Sequence, residues 1–167
     1  QGGKIMFNRM MRTAYSAGDN NRVASLVRIY DSKFKLNAEE RILAYAMLYN
    51  AAGGQGGVAA QAAQNIVATF QKSGGGVTGE ALRAVGGIAF RQANGEMARF
   101  SAIKLRGGTV DVLAASIQQK VQALVKLKQT YEQVTRTGDA YWGVAAVYQI
   151  GFAHEQLARE LEKPPQI

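Results

Sequence analysis

The chain has 167 residues, of which 47% are hydrophobic, no cysteine, and a formal net charge of +8. This length suits one domain with a sizeable core, and the hydrophobic content excludes a disordered tail. The lack of cysteine excludes disulfides, thiol catalysis and cysteine-ligated zinc. No apolar run approaches the roughly 20 residues of a membrane-spanning helix. The sequence begins at Gln1 without a signal-peptide pattern, and we expect it to be a processed form or a piece of a longer protein.

The positive charge is spread along the chain rather than concentrated in an arm. Residues 4–41 contain eight basic and four acidic residues, and residues 99–136 contain seven and two. A basic protein attracts nucleic acid, anionic lipid or acidic protein surfaces. Because no run of five like charges occurs, we interpret most of these residues as the solvated faces of helices.

The N-terminal third is typical of short helices separated by capped turns. Gly18-Asp19 combines a helix stop with a residue that caps the next helix, and Asn37 followed by Glu40 is a capping-box pattern. Apolar residues recur at steps of three and four between these signals. Helices are therefore predicted over residues 4–17, 19–34 and 37–52.

Glycine clusters divide the middle of the chain. Alanines dominate residues 58–72, which predicts a helix whose small face allows a close neighbour. Gly86-Gly87 inside the following helix lowers its intrinsic stability, and close helix packing is the usual compensation. Asn94-Gly95 predicts a short turn. The predicted helices cover residues 58–72, 79–93 and 96–105.

The C-terminal region, residues 109–163, predicts one long helical hairpin. Thr109 is placed to cap its first helix, and Gly138-Asp139 forms the turn between the two helices. The expected core-facing residues of the first helix are Ile117, Val121, Leu124, Leu127, Tyr131 and Val134. The second helix carries several aromatic residues, for which we expect core packing rather than an exposed patch: Tyr141, Trp142, Tyr148 and Phe152.

These elements add up to about eight helices in pairs, and no stretch alternates long enough to predict a strand. Helix starts near Lys4, Ala38, Gly79 and Val110 are 34, 41 and 31 residues apart. Repeats of paired helices with a period in the thirties are typical of α-solenoids. The spacing is irregular, and a closed helical bundle is the alternative architecture.

The C-terminal portion resembles the end of large tetratricopeptide-repeat proteins of bacterial, deltaproteobacterial-type cell envelopes. Lys120, Leu124, Tyr131 and Val134, then Gly138-Asp139, Trp142, Ala145, Ala146, Tyr148, Ile150 and Gly151, and finally Leu161 and Pro164-Pro165 carry the resemblance. The resemblance covers residues 120–165. Together with the paired helices it leads us to predict an all-α, right-handed superhelical stack of antiparallel helix pairs, a tetratricopeptide-like α-solenoid, over residues 1–167. It also implies a non-enzymatic scaffold in the bacterial periplasm or envelope. In the N-terminal part, Val23 stands where the family pattern has alanine.

A partner surface is expected on the inner faces of the helix pairs. Arginine there suits the carboxylates of another protein or an acidic peptide, and the candidate residues are Arg12, Arg41, Tyr45, Arg83 and Arg91. The same basic and aromatic residues leave nucleic-acid binding open as the alternative function. No catalytic, cofactor or metal residues and no small-molecule substrate are predicted, because His154 stands alone and the acidic residues near predicted helix starts suit capping. An acid-pair hydrolase stays a third hypothesis.

Overall fold

The computed structural model describes residues 2–167, and this part of the chain is all-helical, as predicted, with seven helices and no strand. The helices are α1 (Gly2–Ser16), α2 (Asn20–Lys33), α3 (Ala38–Ala51), α4 (Gly56–Lys72), α5 (Gly79–Ala102), α6 (Val110–Arg136) and α7 (Ala140–Glu162). α6 and α7 are the two arms of the predicted C-terminal hairpin.

The chain divides into two compact units, which we call unit 1 (Gln1–Val85) and unit 2 (Gly86–Ile167). The division falls inside α5, so the first turns of this helix belong to unit 1 and the rest to unit 2. The prediction of a single helical-repeat domain over residues 1–167 stays a prediction, since one continuous helix spans the division.

The predicted helix caps are confirmed. The Asp19 carboxylate accepts a hydrogen bond from the Arg22 backbone at 3.0 Å, and Asn37 forms a complete capping box with Glu40. Thr109 and Asp139 cap α6 and α7 in the same way. These groups satisfy backbone N–H donors that a helix start leaves without partners.

Unit 1 is built by helices that contact their neighbours in sequence: α1 with α2, α2 with α3, and α3 with α4. The predicted small face of α4 is buried through alanine side chains. Three aromatic rings cluster where α1 meets α2, with Phe7 and Tyr30 each 5.5 Å from Phe34. The largest aliphatic side chains completely buried in this unit are Val23, Val27, Ile42 and Ile66.

The core of unit 2 combines the later turns of α5 with α6 and α7. Tyr131 is fully buried, and its hydroxyl donates to Asn94 at 2.7 Å, while burial raises the pKa of this phenol to about 12. The close packing predicted at Gly86-Gly87 is confirmed. A Cβ at Gly86 would lie 2.8 Å from Cδ1 of Trp142, which leaves no room for a side chain.

The predicted turn at Asn94-Gly95 is wrong, and with it the count of eight helices. α5 runs unbroken through both residues to Ala102. Ala93 and Phe100, on either side of the glycine, are both completely buried. Packing on both sides holds the helix together despite the low helix propensity of glycine. Glu96 consequently lies within a helix, where it pairs with Arg99 and Lys126.

The predicted stripe of α6 is wrong at one position, because Lys120 is completely buried and Val121 is 40% exposed. Lys120 Nζ contacts both carboxylate oxygens of Glu160 at 2.7 and 2.6 Å and the Ile103 carbonyl at 2.8 Å. It also lies 4.8 Å from the centre of the Phe100 ring. A buried ammonium is tolerated when it is paired and hydrogen-bonded in this way.

The expectation that the aromatic residues of α7 pack in the core is correct in part for Trp142 and wrong for the others. Trp142 is partly buried and lies 5.0 Å from the Phe90 ring. Tyr141, Tyr148 and Phe152 are 59%, 70% and 48% exposed. Small residues take the inward positions of this helix instead, with Ala146 and Ala153 completely buried.

Candidate functional site

A groove of about 640 Å³ lies in unit 1 among α1, α3 and the first turns of α5. Met11, Tyr30 and Ala44 are buried at its base, and Leu43 and Met47 are half-buried along α3. The rim is polar and charged, with Asn8, Arg12, Tyr15, Glu39, Glu80 and Arg83 among its members. An apolar base with convergent polar groups around it is the usual form of a binding site.

Glu40 on the groove wall is held by two contacts within unit 1. Its carboxylate accepts from Lys4 Nζ at 2.8 Å and from the Asn37 backbone N–H at 2.8 Å. The hydrogen bond from Lys4 lowers the pKa of Glu40, burial raises it, and the Asn37 bond lowers it again, so the net shift is downward. The carboxylate is therefore ionised at neutral pH, and it joins α1 to the start of α3.

Glu39 joins α3 to the loop before α5. Its carboxylate accepts from both the backbone N–H and the hydroxyl of Thr78, at 2.9 and 2.8 Å. These hydrogen bonds lower the pKa of Glu39. Both acids of this wall are thus engaged in bonds that position the helices around the groove.

The structure brings together two of the five predicted partner residues. Arg12 and Arg83 both line the groove, and both are exposed. Arg12 Nε donates to Asn8 at 3.3 Å, and a guanidinium has two further nitrogens that can donate. Arg83 comes from the second turn of α5.

The other three predicted residues lie elsewhere. Arg41 and Tyr45 both contact Asp31 of α2, at 2.8 and 2.9 Å, so this carboxylate already occupies them. The pKa of Tyr45 is raised, mainly by burial and to a smaller extent by the hydrogen bond to Asp31. Arg91 belongs to unit 2.

Sequence reasoning missed the apolar base of the groove, although α3 carried a signal for it. Residues 42–49 of this helix are apolar on every side. Ile42 and Leu48 are buried, while Leu43 and Met47 project into the groove. A helix that is hydrophobic all round has more than one buried side. Leu43 and Met47 on a second side of α3 therefore indicated another covered or binding surface.

In residues 2–167, no three histidine, cysteine, aspartate or glutamate side chains come together as a metal site would require. His154 is exposed on α7. Within the same residues, no helix has both the length and the hydropathy that crossing a membrane demands.

Residues 2–167 are thus all-helical, and unit 1 carries an apolar groove with arginine side chains on its rim. Comparison of the chain with protein-family models, with curated proteins and with solved structures gives no match. The resemblance of the C-terminal hairpin to tetratricopeptide-repeat proteins therefore stays a prediction.

Proposed function

We propose that this chain is a non-enzymatic protein–protein interaction module of tetratricopeptide-like type, and that the groove of unit 1 binds a peptide segment of another protein. The observation that carries the proposal is that alternate helices, α1, α3 and the start of α5, supply one continuous groove. Stacked helix pairs present one helix of each pair on their concave side, and such surfaces bind extended segments. A right-handed superhelical stack is the architecture that goes with this proposal.

The chemistry of the groove favours a peptide with an apolar anchor and nearby carboxylates. Met11, Leu43 and Met47 offer an adaptable apolar base, since methionine fits irregular side chains. Arg12 and Arg83 on the rim suit bidentate contacts with carboxylates. Unit 1 carries ten basic and five acidic residues, a net charge of +5, which attracts an acidic segment over a longer range.

The acids on the groove wall do not cancel this preference. Glu39 and Glu40 are engaged by Thr78, Lys4 and Asn37 within the unit. Glu80 also lines the groove, so a single basic residue in the partner has a position to occupy. A bacterial periplasmic or envelope complex is the location that goes with the C-terminal resemblance, and it is part of the proposal.

The test uses a display library of random peptides of about 12 residues, a length that spans such a groove. We expect selection on the whole chain to enrich sequences with a large apolar residue close to aspartate or glutamate. Binding of one selected peptide is then measured by fluorescence anisotropy. Arg12→Ala, Arg83→Ala and Met47→Lys should each weaken it by about tenfold or more.

The matched control is Arg22→Ala, because Arg22 is an exposed arginine of α2 that does not line the groove. It should leave the affinity within about twofold of the wild-type value. A library without enrichment overturns the proposal. So does a selected peptide that binds the Met47→Lys chain as tightly as the wild type.

The alternative function, nucleic-acid binding, is tested separately with duplex DNA and single-stranded RNA. A protein that binds through phosphate contacts loses orders of magnitude in affinity between about 50 and 200 mM salt. We expect no binding at the lower salt concentration. Salt-sensitive binding that competes with the selected peptide would favour the alternative.

A further inference from the structure

The outer side of α7 is an apolar surface on a helix whose inner side is already buried. No aspartate, glutamate, lysine or arginine occurs from Ala140 to Ala153. Ala146 and Ala153 point into the core, while Tyr141, Val144 and Tyr148 are 59%, 72% and 70% exposed. Val147 and Phe152, 61% and 48% exposed, lie on the two flanks of this side. We call these five exposed residues the α7 strip. Helices that are apolar all round are normally covered on every side.

The area of the α7 strip suits an interface between two proteins. Three of its five residues are aromatic, and side chains of this kind bury about 150–250 Å² each when fully covered. At their observed exposures the three rings offer roughly 250–450 Å², to which the two valines add. A stable interface takes about 800 Å² from each partner, so the strip supplies about half of that share as apolar surface.

Gly151 is a second, independent observation on the same side of α7. It is exposed in the interior of a long helix, where glycine destabilises the helix relative to alanine. Nothing lies within 4 Å of the position that its Cβ would occupy, so packing within the chain does not require glycine there. Close approach of another helix from outside does require a small residue.

We propose that the α7 strip is a self-association surface, and that its occupant is α7 of a second copy of this chain. In an antiparallel pair with a two-fold axis between Val147 and Tyr148, Val144 of each copy faces Gly151 of the other. Val144 then fills the space beside Gly151, and the two-fold axis makes this contact twice, as in every isologous interface. The strip itself carries no charge, so pairing two copies along it brings no like charges into contact.

The α7 strip belongs to unit 2 and the peptide groove to unit 1, so the two surfaces can be altered separately.

Sedimentation velocity on the whole chain, over about 2 to 200 µM, tests the proposal across the affinity range of weak dimers. The wild type should pass from monomer to dimer over this range. Val144→Arg should raise the dissociation constant by about tenfold or more, because it places like charges in an apolar contact. Ile5→Arg is the matched control, since Ile5 is 65% exposed on α1 and should leave dimerisation unchanged.

Substitutions of Gly151 should have opposite effects on the stability of the monomer and on the affinity of the dimer, which a residue with only a structural role would not show. Gly151→Ala should raise the melting temperature of the dilute monomer, because alanine favours the helix. The same change should weaken dimerisation, and Gly151→Leu should weaken it by about tenfold or more, because the close approach is lost.

A wild-type chain that stays monomeric at the highest concentration overturns the proposal, and so does a dimer that tolerates both Val144→Arg and Gly151→Leu. A larger complex that forms only with another protein would likewise assign the strip to a different occupant. None of these results bears on the peptide groove, whose variants are measured by peptide anisotropy.

Discussion

Unit 1 and unit 2 are both built from helices, yet they place their polar and apolar groups in opposite ways. In unit 1 the Lys4–Glu40 pair stays partly exposed, with side chains 30% and 32% accessible, and the apolar groove opens beside it. In unit 2 Lys120 is completely buried, while the outer side of α7 exposes tyrosine and valine. In unit 1 the charged side chains are therefore on the outside, as an amphipathic pattern predicts. In unit 2 a charged side chain is buried and apolar side chains are exposed, which is the reverse of that pattern.

The largest expected effect tests the buried ion pair. Glu160→Gln should destabilise unit 2 by about 3 kcal/mol, because it leaves the charge of Lys120 buried without a counter-ion. Urea unfolding followed by Trp142 fluorescence measures this, since Trp142 is the single tryptophan and lies in unit 2.

The matched change in unit 1 is Glu40→Gln, which should cost less than about 1 kcal/mol because that pair is partly exposed and glutamine can keep the capping box. Replacing both unit 2 partners, as Lys120→Met with Glu160→Leu, should restore most of the stability. If Glu160→Gln and Glu40→Gln lowered the free energy of unfolding by the same amount, the two ion pairs would not differ in the way described.

The next effect concerns two glycines of the same helix. Gly86→Ala should destabilise by about 1–3 kcal/mol, because the new methyl group would lie 2.8 Å from Trp142. Gly95→Ala should stabilise by about 0.5–1 kcal/mol, since its Cβ meets nothing and α5 is continuous there. Thermal melts of the two variants should therefore shift in opposite directions. If Gly86→Ala raised the melting temperature instead, the Trp142 side chain would have to move away from the new methyl group at little cost.

The turns before α2 and α7 should respond alike, although they belong to different units. Gly18 and Gly138 have φ angles of +72° and +87°, and a Cβ at either would meet nothing. Alanine at each position should cost about 1–2 kcal/mol through backbone strain alone. Denaturant midpoints of the two variants provide the comparison, and a large difference between them would mean that one turn relaxes to a negative φ.

The smallest effect is a pH dependence. Burial raises the pKa of Glu160, but hydrogen bonds from Lys120 and Gln156 and the nearby lysine charges lower it below its ordinary value of 4.5. A lowered pKa in the folded state means that the pair stabilises unit 2 above the unfolded value, and that this contribution is lost as pH falls through the folded pKa. Unfolding followed by Trp142 should thus show less acid sensitivity in Glu160→Gln than in the wild type. An unchanged acid profile would show that other carboxylates dominate.

The local signals in the sequence predicted most of the helix ends. Asp19, the Asn37–Glu40 box and Gly138-Asp139 act within a few residues, so no knowledge of distant parts of the chain is needed. The turn at Asn94-Gly95 failed because burial of Ala93 and Phe100 outweighs the weak helix propensity of glycine. Such packing depends on helices far away in sequence.

The candidate groove was predictable only in part for the same reason. Arg12 and Arg83, two of the predicted partner residues, line the groove, but Arg41 and Tyr45 contact Asp31 of α2. Periodicity shows which residues share a side of one helix, but it does not show which neighbouring helix covers that side. The burial of Lys120 depended on Glu160, 40 residues away, and no local pattern indicates that pairing.

The complete burial of Lys120 can be used in an experiment. Amine-reactive labels modify lysines that solvent reaches, so Lys120 should be spared while α6 and α7 stay packed together. Its modification, followed over time by mass spectrometry, would then report how often the C-terminal hairpin opens. Lys126, six residues further along the same helix, has a side chain that is 63% accessible and offers an internal reference for the reagent.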